Sequence, residues 1–252
     1  MLEFERNYGG IRTKTYWFCE RPFDEEEVDS VVFLSCPNKV EMDGFTREDR
    51  STMTIDIGQG LDAVWKNMNK SCNQDIRRGE KEGIEVRMDA DHEGWLKIND
   101  QFRDTKGLAY DTLSVGFMKR LGHLFTFYFN GEMLGGLFVI NDERTMLAMM
   151  AASKRLEVED QMRRLVGRGN RMLFWEAMKF AHGKGITTFD LGGFYTSSQP
   201  DPDKERINVF KERFGGTVVP DYIYSKDYSF RVKAAKKAVK VLEALSYKPK
   251  TT

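Results

Sequence analysis

The stretch from Leu124 to Ser153, LFTFYFNGEMLGGLFVINDERTMLAMMAAS, contains apolar runs separated by Asn130-Gly131 and Asn141-Asp142. Asn and Gly tolerate the left-handed backbone of a tight hairpin corner, so the pattern predicts an antiparallel meander whose first turn is type I′. A sheet of this kind must be covered, and the flanking sequence supplies amphipathic helices to cover it. Leu61, Val64, Trp65, Met68, Cys72 and Ile76 fall on one face of a helix that Gly83 terminates. Segments 91–103 and 111–121 read as two further helices. TKTYWFC, SVVFLS, STMTIDIG and IEVRM read as strands before the meander. After it come a helix ending at His182-Gly183-Lys184-Gly185, the strand TTFDLGG, a short helix over 203–213 and the strand TVVPDYIYS. The order predicts an α/β protein with a mixed, mostly antiparallel central sheet flanked by helices.

Charge narrows the function classes. The 39 basic side chains of this 252-residue chain are balanced by 39 acidic ones. DNA binding is therefore not expected, because a nucleic-acid protein ordinarily carries a basic excess. Cys19, Cys36 and Cys72 are odd in number and lack C-x-x-C spacing, which fits neither a disulfide framework nor a zinc site and suits a reducing cytosol. His92, His123 and His182 lack metal-ligand spacing, so no metal is expected. No apolar run is long enough to span a bilayer, and the expected location is cytoplasmic. No G-x-S-x-G nucleophile motif occurs.

Between the meander and the next helix lies RRLVGRGNRMLFWEAMKFA. The spacing Arg164-x-x-Gly167-x-Gly169 predicts a turn that wraps a pyrophosphate, with a helix of about 14 residues beginning at Asn170. A helix start leaves amide groups without partners and carries partial positive charge. Glycines let the backbone approach an anion, and arginines add charge-assisted bonds. An ordinary loop whose glycines only reverse the chain is the alternative.

That spacing matches the acyl-CoA turn of the GNAT acyltransferase superfamily. A longer resemblance runs through TIDIGQGLDAVWKNMNKSCNQDIRRGEKEGIEVR, GNRMLFWEAMKFAHGKGITTFDLGG and INVFKERFGG, which in this order resemble the Fem-type (FemABX-like) peptidyltransferase branch of the GNAT fold. The resemblance covers about residues 50–220 and implies a GNAT-like acyltransferase domain over 51–225. A truncated N-terminal second subdomain over 1–50 and a C-terminal basic helix and tail over 226–252 complete the expected organisation.

The resemblance implies an acyl-CoA or carrier thioester donor and an amine acceptor on a cell-envelope precursor, first of all a nucleotide-linked amino sugar. Aminoacyl transfer from transfer RNA to a peptidoglycan precursor is the second enzymatic reading, disfavoured by the neutral charge. A non-catalytic scaffold is the third. The donor's pantetheine is expected along Met149 to Ser153, contacting Met150, Ala151 and Ala152. Its phosphates are expected at Arg164, Val166, Gly167, Arg168, Gly169 and Asn170.

Asp190, Tyr195 and Lys211 are the catalytic candidates, as base, proton donor to the leaving thiolate and charge donor. Each has a plainer alternative: Asp190 as a cap of its own turn, Tyr195 as packing, Lys211 as a solvated helix lysine. Gly192, Phe194 and Phe210 are expected at the acceptor. Arg77 and Arg78 are candidates for its diphosphate, or simply cations favouring a helix C-terminus. In the last helix Lys233, Lys236, Lys237 and Lys240 form a basic face that can touch an anionic membrane surface. The sequence does not define the oligomeric state.

Overall fold

The computed structural model describes residues 1–108 and 113–234. The last-helix lysines Lys236, Lys237 and Lys240 lie outside them, as does the start of the helix expected from 111. The described residues form two compact units, Ser51–Val219 and a smaller one made of Met1–Arg50 with residues 220–234.

In the smaller unit, β1 (Leu2–Tyr8) and β2 (Ile11–Trp17) form an antiparallel hairpin. β2 runs parallel to β3 (Ser30–Cys36), which pairs antiparallel with β10 (Thr217–Asp227). Tyr16, Phe33 and Tyr224 are the large buried side chains of its core. Sequence pattern did not announce β1, although Leu2, Phe4 and Arg6 alternate in exposure with Glu3, Glu5 and Asn7.

The larger unit has the strand order β4-β9-β8-β7-β6-β5. β4 (Thr46–Asp56) enters from the smaller unit, and β5 is Glu85–Met88. The meander is β6 (Gly122–Phe129), β7 (Glu132–Asn141) and β8 (Thr145–Ser153), and β9 is Thr188–Gly193. Only the β8/β9 pair is parallel; the others in this unit are antiparallel. Asn130 and Gly131 both have positive φ, 50° and 80°, as the type I′ corner demands.

Side-chain alternation gives the sheet two apolar faces. Phe125, Phe127, Leu137 and Val139 join the core under α2 (Lys70–Lys81) and α5 (Asp160–Gly183). On the other face Trp95, from α3 (His92–Lys106), closes over Gly136, and Phe117, from α4 (Val115–Leu121), meets Phe138 at 6.2 Å between ring centroids. α6 spans Pro202–Glu212.

Two expectations need correction. The helix expected through residues 61–82 is two helices, α1 (Leu61–Asn67) and α2. Met68 turns extended at ψ 147°, and the Asn69 side chain then accepts from the Ser71 amide to start α2. The apolar stripe continues across the break, which is why periodicity alone reads as one helix.

The second correction concerns the glycine turn. Residues 163–170 lie inside α5, whose 24 residues begin at Asp160, so Asn170 starts nothing. The amides of Gly167 and Gly169 sit within the helical ladder and are not available to wrap a pyrophosphate. Leu165, Val166 and Gly169 are buried, so packing keeps these turns helical. A Cβ at Gly169 would sit 2.3 Å from the Phe127 ring, whereas one at Gly167 meets nothing closer than 3.6 Å.

Gly169→Ala should therefore destabilise the protein by about 1–3 kcal/mol through overpacking. Gly167→Ala should be neutral or stabilising by up to about 1 kcal/mol through helix propensity. Urea denaturation of the two variants checks the contrast.

Candidate active site

β8 and β9 start as neighbours and then part. Their pairing runs Thr145↔Thr188, Met146↔Phe189, Leu147↔Asp190 and stops there, while β8 continues along β7 to Ser153. β8 bulges where it leaves: Phe138 pairs with Met150 and Val139 with Ala148, so Met149 is the extra residue. β9 bulges at the same level, because Thr52 pairs with Gly193 and Thr54 with Asp190. Bulges re-aim backbone groups out of the ladder. Gly192 adopts φ 80° within this bulge, and a Cβ there would lie 3.2 Å from the Ala148 carbonyl oxygen. Both the left-handed backbone and the narrow gap favour glycine.

The bulge is pinned by two buried charges. Asp190 Oδ1 accepts a short bond from Thr52 Oγ1 and a 2.7 Å bond from the Gly192 amide. Lys211 Nζ donates to the carbonyl oxygens of Gly192 at 2.9 Å and Gly193 at 2.6 Å. Asp190 thus does cap its own turn, and Lys211 is buried, not a solvated helix lysine. A buried carboxylate or ammonium is tolerated only when hydrogen bonded, and here the bonds serve one loop from opposite polarities.

Phe210, one residue earlier on α6, packs against Phe174 and Phe214 at 5.4 and 5.3 Å, with the Arg171 guanidinium 5.5 Å from its ring. Phe194 is partly buried against the same core, its amide bonded to the Ser51 carbonyl. The Tyr195 hydroxyl donates to the Gln199 carbonyl at 2.5 Å, and its backbone exchanges bonds with the Asn208 side chain. In this geometry the phenol proton is committed within its own loop and is not aimed at a thiolate. Along β8, Met150 is partly buried, Ala151 exposed and Ala152 buried. Asn170 donates to Ser153 Oγ at 3.1 Å, tying α5 to the end of that strand.

The arginines sort differently from their order in sequence. Arg77 lies over the Trp65 ring at 5.3 Å. Arg78, Arg164 and Arg168 instead line one groove of about 370 Å³ between α2 and α5, with Glu82 and Gln161. Arg168 Nη1 reaches both Glu82 oxygens at 2.6 and 2.5 Å. Arg171, deeper in the helix, donates to the Gly167 carbonyl and lies 3.4 Å from Asp75; burial lowers its pKa while that carboxylate opposes the shift. Motifs far apart in sequence thus converge on one basic groove. Sequence spacing could not show this, because it depends on α5 extending back to Asp160.

Covalent catalysis through cysteine does not suit this chain. All three thiols are buried, and burial pushes Cys36 up to about 12 and Cys72 up to about 11, so the thiolate is scarce at neutral pH. Among the described residues no group of His, Cys, Asp and Glu side chains could hold a metal ion, and no helix is long and apolar enough to cross a membrane.

A mixed sheet whose parallel pair in this unit parts where both strands bulge is the arrangement of the GNAT acyltransferase fold. The family model described as Acetyltransferase (GNAT) domain matches residues 66–205, and the chain belongs to that family. No curated protein sequence matches it. Among solved structures it is similar to FemX, at 15% identity and TM-score 0.57 over 78% of this chain and 72% of that one. It is also similar to the C-terminal domain (DUF2156) of a putative lysylphosphatidylglycerol synthetase from Agrobacterium fabrum, at 11% identity and TM-score 0.55 over 93% and 83%. L-PGS from Bacillus licheniformis gives 12% identity and TM-score 0.54 over 92% and 82%. At these identities the likeness is one of fold.

Thr52→Val removes a donor from the Asp190 carboxylate and should cost about 1.5–3 kcal/mol, the range for a bond to a charged group, read as a lower urea midpoint at unchanged slope. A thiol-specific disulfide reagent at pH 8 should find no reactive cysteine in the native protein and all three after denaturation.

Proposed function

We propose that this protein is an N-acyltransferase that moves an acyl group from an acyl-CoA or carrier thioester to an amine of a cell-envelope precursor, with a nucleotide-linked amino sugar as acceptor. The parting of β8 from β9 carries the reading: their pairing ends where both strands bulge, beside a buried lysine. In this reading the pantetheine lies along Met149 to Ser153, and backbone amides near the Met149 bulge polarise the thioester carbonyl. The neutral amine attacks that carbonyl, the C–N bond forms, and the C–S bond breaks. The amine's proton leaves to solvent, and the thiolate takes one back.

Asp190 acts by position, and Lys211 by both position and charge. They hold the Gly192-Gly193 rim, and the ammonium adds positive charge beside the developing oxyanion. Phe194 and Phe210 stand behind that rim on the acceptor side.

Aminoacyl-tRNA as the donor, with a peptidoglycan precursor as acceptor, is the second reading. The likeness in fold to FemX and the basic groove on α2 and α5 favour it.

Mixing the protein with acyl-CoAs and a panel of nucleotide-linked amino sugars, and following free thiol, tests the first reading. Acceptor-dependent thiol release is expected, and Lys211→Ala should slow it by about 10²–10³-fold, the usual effect of removing one group that stabilises an oxyanion. Transfer seen only from aminoacyl-tRNA would replace this donor. The absence of turnover and of CoA binding would leave a scaffold.

A further inference from the structure

We infer that the ion pair between Lys106 of α3 and Asp203 of α6 is a strap across the β8/β9 opening, and that it parts to admit the acceptor. The inference deepens the acyltransferase reading and rests on it for the identity of what enters. The strap itself stands on separate observations.

α3 is laid across the sheet. At its start, His92 Nε2 lies 3.7 Å from an oxygen of Asp89, whose carboxylate also accepts from the Leu124 amide of β6. One turn on, Trp95 closes over Gly136 of β7, and the helix packs on β8 as well. A helix of 15 residues is about 22 Å long, whereas the four strands from β5 to β8 span about 14 Å. The last turn of α3 therefore reaches past β8, on the side where β9 has parted from it.

There Lys106 Nζ meets Asp203 Oδ2 at 2.9 Å. Asp203 stands in the first turn of α6, and the same helix holds the rim of β9 through Lys211. One wall of the opening is β8 with α3, the other is β9 with α6, and the ion pair joins them.

The strap is weakly held. Residues 202–207 of α6 are all exposed, so the first half of that helix has little packing to fix it. The Lys106 and Asp203 side chains are 32% and 57% exposed, and a pair so placed is readily broken. Arg206 also lies 3.5 Å from Asp203, but it belongs to the same helix and closes nothing. The loop before α6 travels with the helix, because the Tyr195 backbone exchanges bonds of 3.0 and 2.7 Å with the Asn208 side chain. A ligand that enters only the open form binds more weakly by the fraction open. Loss of the strap should therefore help the acceptor, whereas loss of a lysine that grips the acceptor would harm it.

Lys106→Met keeps the stem and removes the charge, and Lys106→Arg keeps both. Hydrogen–deuterium exchange of the full chain, read by mass spectrometry, tests the strap directly. Peptides covering 194–206 should exchange up to about fivefold faster in Lys106→Met and in Asp203→Asn, the change an exposed ion pair supports, and at the parent rate in Lys106→Arg. Peptides from β6 and β7 should be unchanged in every variant. Added salt should speed the 194–206 peptides of the parent and leave those of Lys106→Met as they are.

In the thiol-release assay Lys106→Met should raise kcat/KM for the acceptor by up to the same factor at unchanged kcat. The inference is overturned if 194–206 exchanges alike in the parent and Lys106→Met, or if that variant lowers kcat/KM for the acceptor. Faster exchange without thiol release from any acyl-CoA would uphold the strap and remove the acyl-CoA reading alone. Acceptor-dependent turnover with unaltered exchange would keep that reading and remove the strap.

Discussion

The buried carboxylate of Asp190 organises the candidate active site. A carboxylate removed from water must find donors or become protonated, and here the donors are the Thr52 hydroxyl and the Gly192 amide. The second bond reaches only two residues along the chain, so it draws the backbone into a bulge with Gly192 left-handed. The carbonyls displaced by that bulge turn toward Lys211, whose buried ammonium takes both. β9 thus leaves its ladder with β8 because its polar groups are satisfied elsewhere. The opening is built by hydrogen-bond accounting and does not depend on a loose strand.

α5 shows a different competition. Two glycines inside a helix cost about 0.8–1.0 kcal/mol each relative to alanine, and as a local sequence RRLVGRGN reads as a turn. Burying Leu165 and Val166 offsets this at about 1.5–3 kcal/mol per large aliphatic side chain. Gly169 also earns its place by letting the helix settle on Phe127. Once the segment is helical its arginines cannot flank a phosphate-binding turn. Arg164 and Arg168 become a row along one side of the helix, and Glu82 holds Arg168 against α2. The positive charge read from the sequence is retained, but it is delivered by side chains and aimed across a groove.

The sequence by itself determined the features that depend on near neighbours along the chain. The meander and its Asn130-Gly131 corner, the stripe from Leu61 to Ile76, and the strand–helix–strand order around TTFDLGG all follow from backbone preference and period. The three Fem-like blocks belong here too, and they carry the family resemblance. The tertiary structure decided what depends on partners distant in sequence. It set the parallel pairing of β2 with β3, the break at Met68-Asn69, the burial of Lys211, and the company of Arg78 with Arg164 and Arg168. The start of α5 belongs to that second group. Helix propensity is worth tenths of a kcal/mol per residue, while burial against a sheet is worth several times more, so the fold overrode the local preference of the glycines.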